Sequence, residues 1–221
     1  MPGDRPFDHR HAELMDRVYR HQRHIYDFTR KYYLFGRDRL IRNLMLAPGE
    51  RLVEIGCGTA RNLVRIARLY PEAQLFGLDA SQEMLKSASE TIRRAGLAGR
   101  IGLAHGYAEE LSQAMFGETR PFDACLFSYS LSMIPEWKQA LLAASRTLSP
   151  NGRIHIVDFG DLRGLGIGRN FMLAWLRLFH VAPRVELLET FERVQSGKLH
   201  VLPGRYAFSV TMSRTCKSAF F

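Results

Sequence analysis

The sequence predicts an α/β fold whose sheet is mostly parallel and finishes in an antiparallel hairpin. Three observations predict it. Short apolar runs alternate with amphipathic stretches between residues 51 and 158, and a glycine turn joins the first run to the first stretch. Near the end of the chain, Pro203-Gly204 sits between two further apolar runs, which is hairpin chemistry.

Taken in order, residues 51–55 (RLVEI) read as the first strand and lead into Gly56-Cys57-Gly58-Thr59-Ala60. Residues 62–69 have helical spacing through Leu63, Ile66 and Ala67 and stop before Pro71. Residues 74–78 read as the second strand. Ser81 is the expected N-cap of a helix carrying Met84, Leu85, Ala88 and Ile92, which ends near Gly96. Strands are expected at 100–104, 122–128 and 153–158. A helix over about 136–148 separates the last two, and Ser149-Pro150-Asn151-Gly152 supplies its turn. Residues 185–195 read as a helix, followed by strands at 199–202 and 206–212. No Pro-, Gly- or Ser-rich linker divides the chain. The expectation is one domain over residues 1–221, with an N-terminal helical lid at about 8–45 and an insertion near 162–184.

The 221 residues are 46% hydrophobic and 24% charged, which suits a packed core and excludes a disordered or repetitive chain. Cys57, Cys125 and Cys216 fit no metal-ligand spacing, so reduced thiols and no metal site are expected. No stretch has the apolar length of a membrane span, and the first residues lack the apolar centre of a secretory signal. The expected location is the cytoplasm.

Charge is unevenly placed. Residues 1–45 hold 10 basic and 6 acidic side chains, residues 46–161 hold 12 and 13, and residues 162–221 hold 9 and 3. Basic flanks around a neutral middle suit an anionic partner, nucleic acid or an acidic bilayer. Residues 11–33 (HAELMDRVYRHQRHIYDFTRKYY) place Leu14, Met15, Val18, Tyr19, Ile25 and Tyr26 at helical intervals among arginines. They read either as a core-facing stripe or as a lid, in which tyrosine faces can hold an ammonium. Residues 165–181 (LGIGRNFMLAWLRLFHV) form a bulky apolar surface, suited either to packing on the sheet or to lying in a bilayer interface. No Lys-rich loop or appended binding module appears, so nucleic acid is not expected.

The glycine turn carries the chemistry. Glycines between a strand and a helix let the backbone approach a ligand closely. Asp79, at the tip of the second strand, can take both hydroxyls of a ribose. A dinucleotide site wants a third glycine after Thr59-Ala60, where the chain has Arg61-Asn62, and Glu54 would repel a pyrophosphate. Glu54 instead suits a cationic ligand such as a sulfonium or an amine.

With its terminal hairpin, this pattern resembles the class I S-adenosylmethionine-dependent methyltransferases, which have a Rossmann-like fold. Ala60 replaces the last glycine of that family's motif. Tyr107, in Gly106-Tyr-Ala-Glu-Glu-Leu111, stands where many members have an acid facing the adenine amine. The runs HAELMDRVYRHQRHIYDFTRKYYLFGRDRLI, VEIGCGTARNL, FSYSLSMIPEW and FHVAPR are similar to the bacterial diacylglycerylhomoserine N-methyltransferases of betaine-lipid synthesis. That resemblance implies up to three methyl transfers from S-adenosyl-L-methionine to the homoserine amine of a diacylglycerol ether lipid. The products are S-adenosyl-L-homocysteine and the trimethylated betaine lipid, and no metal takes part. It also implies a companion enzyme that makes the headgroup, and peripheral attachment to an anionic membrane where the lipid substrate lies.

The resemblance assigns cofactor contacts to Arg37 (toward the methionine carboxylate), Glu54, Gly56, Cys57, Gly58 and Asp79. Further contacts fall to Ala80, Met84, Tyr107, Ala108, Phe127 and Ser128. Tyr129 is expected to orient the amine or relay its proton, with Tyr19 and Tyr26 completing a cage for the growing ammonium. His155 and Asp158 read as substrate contacts or as satisfied core groups, the latter favoured for His155. Two other functions stay open: phosphatidylethanolamine N-methylation, and a non-catalytic S-adenosylmethionine-fold protein that only binds.

Overall fold

The apolar runs pair into one seven-stranded sheet because successive side chains in each run face opposite sides and helices cover both. The computed structural model describes residues 34–166, 168–177, 183–194 and 197–214. The N-terminal run with Tyr19 and Tyr26, and the side chain of Trp175, lie outside the described residues. The elements are α1 (Arg37–Arg42), β1 (Arg51–Ile55), α2 (Arg61–Leu69), β2 (Gln74–Asp79), α3 (Gln82–Arg94), β3 (Ile101–His105) and β4 (Phe122–Ser128). They continue with α4 (Trp137–Thr147), β5 (Leu148–Phe159), α5 (Gly168–Arg177), α6 (Val185–Val194), β6 (Lys198–Val201) and β7 (Ala207–Ser213). The strand order is β3-β2-β1-β4-β5-β7-β6. Strands β1 to β5 run parallel, and β7 is antiparallel to both β5 and β6. The expected mostly parallel sheet with a terminal antiparallel hairpin is what forms.

Alternation within β1 sorts the two core layers. Leu52 joins Leu63, Ile66, Ala88 and Ile92 under α2 and α3. Val53 and Ile55 join Ala140, Leu141, Leu187 and Phe191 under α4 and α6. The expected cap of α3 is present, since Ser81 Oγ accepts from the Met84 N–H at 3.3 Å. The far end closes at Gly96 (φ 70°). There Gly96 N–H donates to Arg93 O and Leu97 N–H to Ile92 O, the paired bonds of a glycine-terminated helix.

One boundary differs from expectation. Residues 149–152, read as a turn before the fifth strand, lie inside β5. Pairing with β4 jumps from Phe122–Leu148 to Ala124–Arg153, so the extra residues bulge out of the ladder. Gly152 closes that bulge; a Cβ there would sit 2.8 Å from Leu148 Cβ.

Beyond β5 the chain is tied to the β6–β7 connection. Asp161 is buried and accepts from Arg205 Nε through both oxygens at 2.9 Å, which holds its carboxyl below the usual range. Arg205 also grips Glu192 of α6 at 2.8 Å. These bonds fix the start of the 162–184 segment against the end of the sheet.

Candidate active site

The sheet order reverses between β1 and β4, and in open α/β sheets ligands bind beyond the carboxyl ends of strands at such a point. The glycine turn leaves β1 here. Gly56 and Cys57 N–H both donate to Leu78 O, at 2.8 and 3.0 Å, which draws the turn against the end of β2. Gly56 (φ 71°) has no room for a side chain, since a Cβ would lie 2.5 Å from Ser130 Cβ. Gly77 beneath the turn is equally constrained. A Cβ there would meet Leu63 Cδ1 at 2.7 Å and Cys57 Sγ at 2.9 Å. Ala60 takes a left-handed conformation (φ 61°), so the alanine occupies the glycine-like position of the motif directly.

Two acids flank the turn. Asp79 is half-buried; its Oδ2 accepts from Gly58 N–H at 2.7 Å and its Oδ1 from Ser81 N–H at 2.9 Å. Glu54 is buried at 1% exposure, and its Oε1 accepts from Asn62 Nδ2 at 2.7 Å. Asn62, in the Arg61-Asn62 pair that departs from the dinucleotide motif, is thus the residue that holds Glu54. Burial pushes the Cys57 thiol well up, and the neighbouring Asp79 and Glu54 charges push it further. Cys57 and Phe127 are buried in the core, so their backbones rather than their side chains border the crevice. Met84 is likewise a core residue under α3. Ala80 and Tyr107 are half-buried beyond β2 and β3, and His105 Nε2 lies 3.0 Å from Ala80 O. Ala108 is buried at the start of a 3₁₀ turn. At the end of β4, Ser128 Oγ is buried with no partner among the described residues.

The β4 side of the crevice is aromatic. Tyr129 is buried at φ 56°, with its ring edge-on to Phe159 at 4.7 Å. The stack continues through Tyr206 to Phe35. The Tyr129 hydroxyl donates to the Phe35 carbonyl. Burial and the nearby Asp158 charge hold the phenol well above its usual pKa. In this arrangement Tyr129 walls the β4 side, with its hydroxyl held by the Phe35 carbonyl. Arg37, at the start of α1, is buried beside this wall. His155 is buried in the core as favoured, with Nδ1 3.0 Å from Thr211 Oγ1, but its Nε2 has no partner among the described residues and is not satisfied. Asp158 is buried too, accepting from Ser132 N–H at 2.9 Å and Phe159 N–H at 2.8 Å. Among the described residues, no three His, Cys, Asp or Glu side chains group closely enough to hold a metal ion.

The methyltransferase-domain family model matches residues 52–152, the span that holds the glycine turn, Asp79 and Tyr129. Residues 52–152 belong to the methyltransferase-domain family, and the fold around them is that of the class I S-adenosylmethionine-dependent methyltransferases. The chain is 32% identical over 168 residues to the ubiquinone/menaquinone biosynthesis C-methyltransferase UbiE of Syntrophotalea carbinolica, covering 72% of this chain and 66% of that protein. It is 29% identical over 145 residues to the demethylmenaquinone methyltransferase of Geobacillus kaustophilus, covering 65% and 59%. The chain therefore spans about three-fifths to two-thirds of these relatives' lengths. A crystal structure of a methyltransferase of this class from Aquifex aeolicus superposes with a TM-score of 0.58 over 93% of this chain and 98% of that one, at 16% identity. That likeness concerns the fold. The methyltransferase fold thus accounts for the Asp79 clasp, the glycine turn and the hairpin together. Sequence reading missed Ser130 and Arg184, whose parts depend on contacts across the turn after β4. The signal for Arg184 was present in FHVAPR but carried no chemistry by itself.

Proposed function

We propose that the chain transfers methyl groups from S-adenosylmethionine to the amine of diacylglycerylhomoserine, up to three times. The products are diacylglyceryl-N,N,N-trimethylhomoserine and S-adenosylhomocysteine. The observation that carries the methyl-transfer part is the Asp79 clasp at the β1–β4 switch point. Bonds from the Gly58 and Ser81 N–H groups fix the carboxylate at the carboxyl end of β2, where an acid takes ribose hydroxyls in such folds. The residues fit the cofactor in charge as well: Glu54 lies in β1 just before the glycine turn, where a cationic amine is favoured over a phosphate. Asp79, Glu54 and the backbone of Gly56–Gly58 would hold the cofactor, which supplies an electrophilic methyl on a sulfonium. The unpartnered Ser128 Oγ gives one more polar contact at the end of β4.

The rest of the chemistry asks for alignment and exclusion of water, and positioning is the largest lever on such a displacement. Tyr129, Phe159 and Tyr206 make the β4 side apolar and close-packed. The choice of a homoserine lipid is supported by residues 127–137 and 179–184, whose resemblance to the betaine-lipid enzymes is selective. Peripheral attachment to an anionic bilayer is supported by Phe171 of α5, which is 75% exposed. No helix among the described residues is long and apolar enough to cross a membrane.

A second reading, carbon methylation in quinone biosynthesis, is supported by the names of the relatives. Both readings put an apolar acceptor at a membrane, so one assay separates them. Purified protein, radiolabelled S-adenosylmethionine and vesicles containing diacylglycerylhomoserine, phosphatidylethanolamine or demethylmenaquinone are combined, and the products are separated. Label in mono-, di- and trimethylated homoserine lipid is expected. Label confined to methylated quinone, or to phosphatidylethanolamine products, rejects the proposal.

A further inference from the structure

The turn after β4 is strained and heavily pinned. It begins at Tyr129, a bulky residue at φ 56°, a left-handed conformation rare for residues other than glycine, asparagine and aspartate. Ser132 is gripped on both sides. Its N–H donates to Asp158 Oδ2 at 2.9 Å, and its carbonyl accepts from Arg184 Nε at 2.8 Å. Arg184 Nη1 reaches Pro135 O at 3.4 Å and Glu186 Oε1 at 3.5 Å. Glu186 in turn accepts from the Trp137 indole N–H at 3.2 Å. On the near side, Ser130 Oγ donates to Ile55 O at 2.6 Å and abuts Gly56. The turn therefore leans on the glycine loop at one end and is held from outside at the other. A planar guanidinium suits the outer task because its fork serves two carbonyls at once, which an ammonium on a flexible stem does less well.

We infer that Arg184 is a positioning residue for the acceptor side of the crevice. With Asp158 it holds the strained turn in the shape that walls the β4 side, and it contributes nothing to cofactor affinity. The inference rests on the methyl-transfer reading.

Arg184→Ala and Arg184→Lys are compared with the parent by three readouts. These are S-adenosylhomocysteine affinity by calorimetry, amide exchange of the 129–135 turn, and transfer to diacylglycerylhomoserine vesicles with and without added methylguanidinium. The expected result for Arg184→Ala is affinity within about twofold of the parent, turn exchange faster by roughly tenfold or more, and kcat lower by a similar factor. Arg184→Lys falls between, and methylguanidinium restores part of the Arg184→Ala turnover. Unchanged exchange overturns the inference. So does a loss of S-adenosylhomocysteine affinity in step with turnover, which would make Arg184 a support for the whole fold. If the parent binds S-adenosylhomocysteine but leaves this lipid unmethylated, the acceptor reading has failed, and exchange with affinity decides the role of Arg184. If the parent binds no S-adenosylhomocysteine, the methyl-transfer reading and this inference fall together.

Discussion

His155 and Asp158 lie on β5 with opposite debts to burial, and acidification sets them against each other. Burial, helped by the Arg153 charge, pushes His155 down to about 4. Burial pushes Asp158 up to about 6, against the pull of the Ser132 and Phe159 N–H bonds. An unfolded histidine takes up a proton near its ordinary value of about 6.5, well before the folded one does. Its contribution is therefore present above that value and is lost as pH falls toward 4. The folded aspartate is protonated already near 6, whereas the unfolded one waits until about 3.9, so acidification in that window favours the fold. Between about pH 7 and about pH 5, proton linkage gives His155 a loss of about 2 kcal/mol and Asp158 a gain of about 1 kcal/mol. The two partly cancel in the parent. Urea unfolding by far-ultraviolet circular dichroism at both pH values, with the slope unchanged, measures the difference for each variant. His155→Gln should soften acid destabilisation relative to the parent by about 2 kcal/mol, and Asp158→Asn should deepen it by about 1 kcal/mol. Because each variant is compared with itself at two pH values, any fixed cost of the substitution drops out. Curves for both variants that run parallel to the parent would refute the burial reasoning for both groups.

Three other outcomes are expected. Asp79→Ala should weaken S-adenosylhomocysteine binding by about 1–3 kcal/mol, since ribose hydroxyls and the Gly58 and Ser81 N–H groups all lose their acceptor. Asp79→Asn should lose less; unchanged calorimetric affinity in both counts against the cofactor assignment. Phe171→Ala should weaken sedimentation with anionic vesicles by about tenfold, from roughly 1–2 kcal/mol of lost apolar burial, and equal binding places no bilayer contact there. Gly77→Ala should cost about 1–3 kcal/mol in urea, because a methyl would press on Leu63 and Cys57 and lift the glycine turn from β2.

Periodicity and turn chemistry made most of the sheet legible. Residues 51–55 and 122–128 matched β1 and β4 to the residue, because apolar runs bounded by turn signals leave little choice of state. The β5 bulge was half legible. Pro150 and Gly152 announce a turn, but only pairing with Phe122 and Ala124 on β4 decides that the strand begins before it. The cofactor side of the crevice was legible for a related reason. Glycines at 56 and 58 and acids at 54 and 79 state local requirements, which a sequence displays directly.

The acceptor side follows another rule. Strand alternation alone cannot say where Tyr129 points, because the residue leaves β4 in a left-handed conformation and the alternation ends with it. From that conformation the phenol hydroxyl donates to the Phe35 carbonyl, 94 residues away in sequence. The strain is tolerable because bonds from β5, β1 and the start of α6 converge on the same turn. Each partner, Asp158, Ser130 and Arg184, looks like an ordinary polar residue in its own segment. Only the fold gives them a common object. A substitution at Arg184 or Asp158 should therefore disturb the acceptor wall first, while the Asp79 and glycine contacts stay formed; Ser130, bonded to Ile55 O and pressed on Gly56, touches both sides.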